Sequence, residues 1–244
     1  MFCLQTKSSA FTIIEISVVV GLVCLLLAIL LPALASVRSL AHQAQCAANL
    51  RQWGQALFAY AGANDMWLPY RGQGKNPTQT ISNPDDWFNN LPPYLSLPSY
   101  QQSVNAGHLP AIGDGTVWNC PAASAAPNAY GNLFTYAMNM ALSPRSAPQP
   151  DNYMKVGPPG TMVFLADSPG PYCSTLPFLS TPAAPALFNP SPRHNGKVNI
   201  AFLDGHVEAL DAAYIGCNVG DPKHQDVRWY WYVPGPFPAP WSGP

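Results

Sequence analysis

The apolar residues of this chain are concentrated near its N-terminus. Within residues 11–35 the polar side chains are limited to Thr12, Glu15 and Ser17. At a rise of about 1.5 Å per residue, a helix over this segment reaches about 37 Å, which exceeds the roughly 30 Å hydrocarbon core of a bilayer. The pattern therefore predicts one membrane-spanning helix.

Beyond Pro32 the apolar pattern becomes one-sided. The three- and four-residue spacing of an amphipathic helix appears at four positions, which are Leu50, Trp53, Leu57 and Tyr60. We therefore expect the membrane helix to continue as an amphipathic helix over residues 36–62, with Gly62 and the Asn64-Asp65 pair ending it near Ala61. Pro32 removes one backbone hydrogen bond, so it should kink the helix without ending it.

The rest of the chain, residues 63–244, carries no second long helical pattern and shows short apolar runs typical of strands. The clearest runs lie at 161–166, 198–203, 206–210 and 227–233. The chain has 28 prolines, which indicate long irregular loops between the elements and an extended C-terminal tail. The predicted fold class is α+β, with the long N-terminal helix packed on a small antiparallel β-sheet.

The strongest hairpin signal is the Asp204-Gly205 dipeptide between two apolar runs. Asp-Gly suits a two-residue type I′ turn, because both central residues of that turn need positive φ. Counting back from this turn pairs Phe202 with Val207. Val198, Ile200 and Phe202 should then share a face with Val207, and we expect that face to pack against the helix.

Composition points to export and argues against nucleic-acid binding. Only 9% of residues are charged, the formal net charge is −1, and no cluster of lysines or arginines is present. The chain therefore offers no basic patch that could neutralise several phosphates of a nucleic acid. A loop-rich domain with few charges suits a compartment outside the cytoplasm.

The chain has six cysteines. Cys3 precedes the apolar segment and Cys24 lies within it, which leaves four in the remaining chain, namely Cys46, Cys120, Cys173 and Cys217. An oxidising compartment favours disulfides, and we predict the pairs Cys46 with Cys120 and Cys173 with Cys217. Buried free thiols are the alternative. Closely spaced cysteine pairs, which a metal site would use, are absent from the sequence.

A secretory signal peptide is the competing interpretation of the apolar segment. Lys7 precedes the segment, and Ala33-Leu34-Ala35 has the small-x-small form of a cleavage site. However, the apolar run exceeds the usual signal length of about 7 to 15 residues. A carboxylate within a membrane helix also costs on the order of 3 kcal/mol, so Glu15 calls for a specific partner or a position close to the interface.

The N-terminal sequence Ser9-Ala10 followed by Phe11-Thr12-Ile13-Ile14-Glu15 resembles the processing and methylation site of type IV prepilins and type II secretion pseudopilins. A histidine at 194, nine residues, and then Asp204-Gly205 resemble the distal motif of one branch of that family. Ala10 stands where the family usually has glycine. The resemblance spans most of the chain in motifs separated by variable loops.

The resemblance implies four segments: a leader at 1–10, a transmembrane half-helix at 11–35, its amphipathic continuation at 36–62, and an exported β-rich domain at 63–244. A prepilin peptidase would cut between Ala10 and Phe11. The new Phe11 amine would neutralise Glu15, and Pro32 would lie where many pilin-like helices carry a proline. The implied protein is a non-enzymatic, single-pass protein of the cytoplasmic (inner) membrane that assembles with other pilin or pseudopilin subunits.

The polar residues of the distal motif offer metal-binding or acid-base chemistry, but their spacing argues against a shared site. A strand of about 3.3 Å per residue separates His194 from Asp204 by about 30 Å. We therefore expect structural roles, with Asp204 forming the turn and His194 fixing the loop before the strand. No catalytic residue or cofactor is expected, although the resemblance leaves calcium at Asp167 or Asp204 as an alternative.

A signal-anchored extracytoplasmic protein that binds a polysaccharide or a protein partner is the rival function. Such a protein would use the aromatic strand predicted at 227–233 for binding. It would need neither the cut after Ala10 nor Glu15.

Overall fold

The computed structural model describes residues 12–72, 84–123, 135–143, 149–169, 174–175, 190–217, 224 and 226–229. The chain divides into two compact units, Met1–Ala41 and His42–Pro244. One helix, α1, runs over Ile13–Ala63 and contributes to both units. From Ile13 onward, the helix predicted in two segments is therefore one continuous element, and the α+β class is confirmed.

In the first unit, α1 presents its apolar side chains outward. From Ile13 to Leu40 the large hydrophobic residues are exposed. Pro32 lies inside the helix, which continues through it as predicted. The helix is long and apolar enough to span a membrane.

In the second unit, one side of α1 is buried. The buried helix residues are Cys46, Asn49, Leu50, Trp53, Gly54, Ala56, Leu57 and Ala61. Of the four positions with predicted amphipathic spacing, Leu50, Trp53 and Leu57 are buried. The fourth, Tyr60, is partly buried and packs against the buried apolar residues. Just past the helix end, the Asn64 side chain donates a 2.7 Å hydrogen bond to the Tyr60 carbonyl, which satisfies one of the last carbonyls of α1.

Among the described residues, the sheet has five strands in the order β3-β1-β2-β4-β5. The strands are β1 (Tyr136–Asn139), β2 (Val163–Asp167), β3 (Ser174–Thr175), β4 (Lys197–Phe202) and β5 (Val207–Asp211). Four of them pair antiparallel, and the short β3 pairs parallel with β1. Two short helices, α2 (Trp87–Asn90) and α3 (Tyr100–Asn105), and a 3₁₀ turn at Pro92–Leu95 lie in the connection between α1 and β1.

In the part of the chain that the structure describes, buried apolar residues form two clusters. The first joins α1 to the sheet and to the short helices, with Trp53 at its centre, where its ring meets Trp87 at 5.3 Å and Trp118 at 5.1 Å between centroids. The Trp53 indole also donates to the Val117 carbonyl at 3.0 Å. The second cluster contains Val198, Ile200 and Phe202 of β4 together with Ile215, Val227 and Trp229.

The predicted hairpin exists, but its predicted register is wrong by one residue. Val207 pairs with Ala201, whereas the two-residue turn required it to pair with Phe202. The turn is a three-residue connection in which Gly205 N donates to Phe202 O at 3.0 Å and Phe202 N donates to His206 O at 3.0 Å. Gly205, with φ of 86°, occupies the left-handed position that closes such a loop with a bulge.

The face of β4 that meets the helix is also the opposite of the predicted one. Ala201 and Leu203 belong to the cluster that contains the buried side of α1, and Val207 packs against that cluster. The predicted face of Val198, Ile200 and Phe202 lies in the second cluster instead. The one-residue slip explains why Val207 shares the face of Ala201 and not that of Phe202, because side chains alternate along a strand.

The two-residue turn with positive φ occurs earlier, at Asn195-Gly196. These residues have φ of 54° and 83°, as type I′ requires at both central positions. His194 and Lys197 flank them and exchange two backbone hydrogen bonds of 3.2 and 3.1 Å. The loop before β4 is thus a tight turn that fixes His194.

The aromatic strand predicted at 227–233 is described only in its first residues. Arg228 bridges Met162 in parallel orientation, and its neighbours Val227 and Trp229 are buried while Arg228 is exposed. This alternation agrees with the prediction over these three positions. Residues 230–233 and the proline-rich tail lie outside the described residues.

Candidate functional site

The N-terminus of α1 is closed by two side chains of the same chain. Glu15 Oε2 accepts hydrogen bonds from the Thr12 backbone N and from Thr12 Oγ1, both at 2.8 Å. Thr12 Oγ1 in turn accepts from Glu15 N at 3.2 Å. This reciprocal arrangement is a capping box, which satisfies two backbone donors that a helix start otherwise leaves unpaired.

The capping box gives Glu15 a role that the sequence interpretation did not include. Thr12 three residues before a glutamate is a recognisable capping signal, and it was present in the pattern. Ala10 and Phe11, the predicted processing site, lie outside the described residues. Pairing of Glu15 with a Phe11 amine therefore stays a prediction.

The turn after β4 packs directly on α1. A Cβ placed on Gly54 of the helix would stand 3.2 Å from the Gly205 Cα, and one placed on Gly205 would stand 2.9 Å from Phe58 Cε2. Both residues therefore allow an approach that other side chains would obstruct. In the distal motif, Gly205 both adopts a positive φ and allows close contact with Phe58.

Asp204 is a local turn residue, as expected. Its Oδ1 accepts from His206 N at 3.1 Å and lies 2.5 Å from His206 Nδ1. The His206 ring stacks on Phe202 with 4.2 Å between centroids, and Glu208 is exposed. These contacts hold the reverse turn in shape.

His194, the first residue of the distal motif, lies in a different environment. Its ring is buried, and Nε2 lies 3.2 Å from Asp167 Oδ2 and 3.5 Å from Cys120 Sγ. Cys120 forms a disulfide with Cys46 of α1, which confirms the predicted pair. The helix, the end of β2 and the turn before β4 thus converge at this point.

We call Cys46, Cys120, Asp167 and His194 the disulfide–histidine cluster. Asn199 N donates to Asp167 Oδ2 at 2.8 Å, which anchors the carboxylate to β4. Asp167 Oδ1 and His194 Nδ1 are buried and have no hydrogen-bond partner among the described residues. Such polar atoms are uncommon in folded proteins and call for a physical explanation.

Two further ionisable groups surround the cluster. Arg193 donates to the Ser168 carbonyl; burial lowers the pKa of this guanidinium, and the nearby Asp167 carboxylate opposes that effect. Burial also raises the pKa of the Tyr136 hydroxyl, and the charge of Asp167 raises it further. Tyr136 contacts α1 through a 3.4 Å hydrogen bond to the Cys46 carbonyl. The cluster is therefore a buried polar region that contacts α1 at Cys46, the first buried residue of the helix.

The structure separates the two carboxylates that were the calcium alternative. Asp167 pairs with His194 beside the beginning of β4, whereas Asp204 follows the end of that strand and contacts His206. The disulfide–histidine cluster was not predicted, because its four members come from distant parts of the chain and no short spacing signals them. Cys173 lies outside the described residues, so its predicted pairing with Cys217 stays a prediction.

Comparison of the chain with protein-family models, with curated proteins and with solved structures found no match.

Proposed function

We propose that this chain is a structural subunit of a type IV pilus or of a type II secretion pseudopilus, inserted in the cytoplasmic membrane and assembled through α1. The observation that carries the proposal is the composition of α1. One unbroken helix of 51 residues begins with exposed apolar side chains and ends in the core of the second unit. Lipid or neighbouring helices must cover the apolar part, because exposing so large an apolar surface to water costs free energy.

The capping box supports this role. Backbone groups at a helix start within a membrane have no water to bind, so an internal partner is needed. Thr12 and Glu15 supply it without another chain. After cleavage between Ala10 and Phe11 by a prepilin peptidase, the Phe11 amine adds a positive charge next to the carboxylate. The pair then helps to set the register between subunits.

The second unit supplies the exported surface of the filament. The Cys46–Cys120 disulfide favours an oxidising compartment outside the cytoplasm. The domain fixes the helix through the Trp53 cluster and through the contact of the Gly205 turn. Its function in this proposal is mechanical and needs no catalytic residue, and its partners are other subunits.

The proposal is tested by the position of cleavage. The full chain is expressed in a host that contains both a prepilin peptidase and a signal peptidase, and the mature N-terminus is determined by mass spectrometry. We expect a methylated Phe11 as the first residue. Ala10→Leu should block this cut, while the matched control Ala35→Leu, which spoils the signal-peptide site, should not.

The opposite pattern would overturn the proposal. A mature chain that begins at Ser36 and depends on Ala35 would indicate ordinary secretion. An uncut chain that stays in the membrane and shows no crosslinks between α1 helices of neighbouring subunits would favour the signal-anchored binding protein.

A further inference from the structure

We propose that, once the disulfide is reduced, the disulfide–histidine cluster binds a thiophilic divalent cation such as Zn²⁺. Its ligands would be Cys46 Sγ, Cys120 Sγ, His194 Nε2 and Asp167 Oδ2. This inference does not depend on the proposed filament function.

The donor atoms have the spacing of a tetrahedral site. The ligand atoms of Cys46, Cys120 and His194 lie within 4.8 Å of one another. His194 Nε2 stands 3.5 Å from Cys120 Sγ and 3.2 Å from Asp167 Oδ2. Zinc bonds of about 2.0 to 2.3 Å place neighbouring ligands roughly 3.3 to 3.8 Å apart. These two distances from the histidine therefore match. The two sulfurs must separate, and the Asp167 carboxylate must approach them, because the group within 4.8 Å contains only the ligand atoms of Cys46, Cys120 and His194.

The surroundings suit a preformed site. Asp167 and His194 are buried, and their proposed donor atoms, Oδ2 and Nε2, already face each other at 3.2 Å. The Asn199 amide holds Asp167 Oδ2 in place, which is the outer support that metal-bound carboxylates usually have. A cation bound between Asp167 Oδ2 and His194 Nε2 would replace their direct contact with two metal–ligand bonds.

The charge balance is the same in both states. A phosphine reductant takes oxygen from water to become a phosphine oxide, and its two electrons convert the disulfide to two thiols. Zn²⁺ then displaces both thiol protons, so two thiolates and the cation sum to zero, like the neutral disulfide. The Asp167 and Arg193 charges remain balanced against each other, which avoids the large cost of burying a net charge.

The consequence is a cross-link that survives a change of redox compartment. The disulfide joins α1 to the loop before β1 where thiols are oxidised. A zinc ion would join the same two elements where thiols are reduced, as in the cytoplasm.

Cobalt spectroscopy on the full chain in detergent micelles tests the proposal. The chain is reduced with a phosphine, freed of reductant under anaerobic conditions and titrated with Co²⁺. We expect the visible bands of tetrahedral thiolate-bound Co²⁺ at one equivalent, their loss on addition of Zn²⁺, and no such bands from the oxidised chain. Bound Zn²⁺ should also slow alkylation of Cys46 and Cys120 at least tenfold, as mapped by mass spectrometry.

Variants identify the ligands. Cys46→Ser should abolish the bands, and His194→Ala and Asp167→Asn should each weaken Co²⁺ binding at least tenfold. His206→Ala is the matched control, because it removes an exposed imidazole beyond the other end of β4 and should leave affinity unchanged. Circular dichroism of each reduced variant reports whether it remains folded, and Asp167→Asn nearly preserves side-chain shape.

Three results would overturn the proposal. The first is a reduced chain that binds no stoichiometric Co²⁺. The second is binding that persists in Cys46→Ser, and the third is a reduced chain that unfolds and does not refold when Zn²⁺ is added.

Discussion

Gly205 lies against Phe58 of α1 so closely that a Cβ on the glycine would stand 2.9 Å from the phenylalanine Cε2. The same glycine has φ of 86°, a conformation that costs other residues about 1 kcal/mol or more. Two independent penalties therefore meet at this position of the distal motif.

We predict that Gly205→Ala lowers the free energy of unfolding by about 2 to 4 kcal/mol, since strain and overpacking add. Gly196→Ala is the control, because Gly196 has a similar φ of 83° and nothing within 4 Å of a Cβ. It should cost only about 1 kcal/mol. Denaturant unfolding of the full chain in micelles measures both, and equal losses would contradict the contact with Phe58.

The disulfide leads to a second prediction. Cys46 and Cys120 are separated by 74 residues, and closing a loop of this length is worth about 4 kcal/mol in the chain-entropy model. Cys120→Ser should therefore lower stability under oxidising conditions by an amount of that order. Cys24→Ser, at an exposed thiol of α1, should have little effect on the unfolding of the second unit.

Peptide mapping without reductant checks the same bond directly. We expect one linked peptide pair that contains Cys46 and Cys120. An unchanged melting temperature for Cys120→Ser, or free thiols at both positions after oxidation, would contradict the prediction.

Glu15 allows capping and charge to be separated by mutation. Glu15→Gln keeps the acceptor that a capping box needs but removes the charge, whereas Thr12→Ala keeps the charge and removes half of the box. If the carboxylate organises assembly through the Phe11 amine, Glu15→Gln should reduce filament yield at least tenfold. Thr12→Ala should reduce it much less.

The measurement is the fraction of mature chain found in sheared filaments or in crosslinked oligomers. Membrane insertion of each variant is checked in parallel and should stay normal. Comparable yields for Glu15→Gln and the unmodified chain would limit Glu15 to its local role at the helix start.

Alkaline pH provides a test of the buried hydroxyl of Tyr136. Burial, aided by the Asp167 charge, raises its pKa in the folded chain above the unfolded value of about 10. The stability that this shift contributes is complete below pH of about 10 and is lost as pH rises further. Tyr136→Phe should therefore flatten the fall in stability above that pH, while the exposed control Tyr94→Phe should not.

The parts of the fold predicted from sequence depend on local patterns. The sequence predicts the buried face of α1 because Leu50, Trp53 and Leu57 recur with helical spacing, and the structure confirms their burial. The hairpin was found for the same reason, but Asp204-Gly205 is compatible with both a two-residue and a three-residue turn. Turn propensity does not distinguish these two loop lengths, and the loop length decides which face of β4 Val207 shares.

The disulfide–histidine cluster shows a different limit. Cys46 and Cys120 were paired correctly, yet their contact with His194 and Asp167 depends on the packing of three elements that no sequence period connects. The strand length between His194 and Asp204 predicts that they share no site, and in the structure His194 pairs with Asp167 whereas Asp204 pairs with His206. Contacts between residues on different strands can be identified only once the order and register of the strands are known.

The continuity of α1 has a mechanical consequence. Cys46 is the first buried residue of the helix, and the apolar contacts of Trp53 and Leu57 follow it along the chain. Tension applied to the N-terminal end of α1 therefore reaches a covalent bond before it reaches the contacts that hold the rest of the helix in the domain. The disulfide therefore transmits the load from α1 to the loop at Cys120. A force that would separate the helix from the apolar core acts first on this covalent bond.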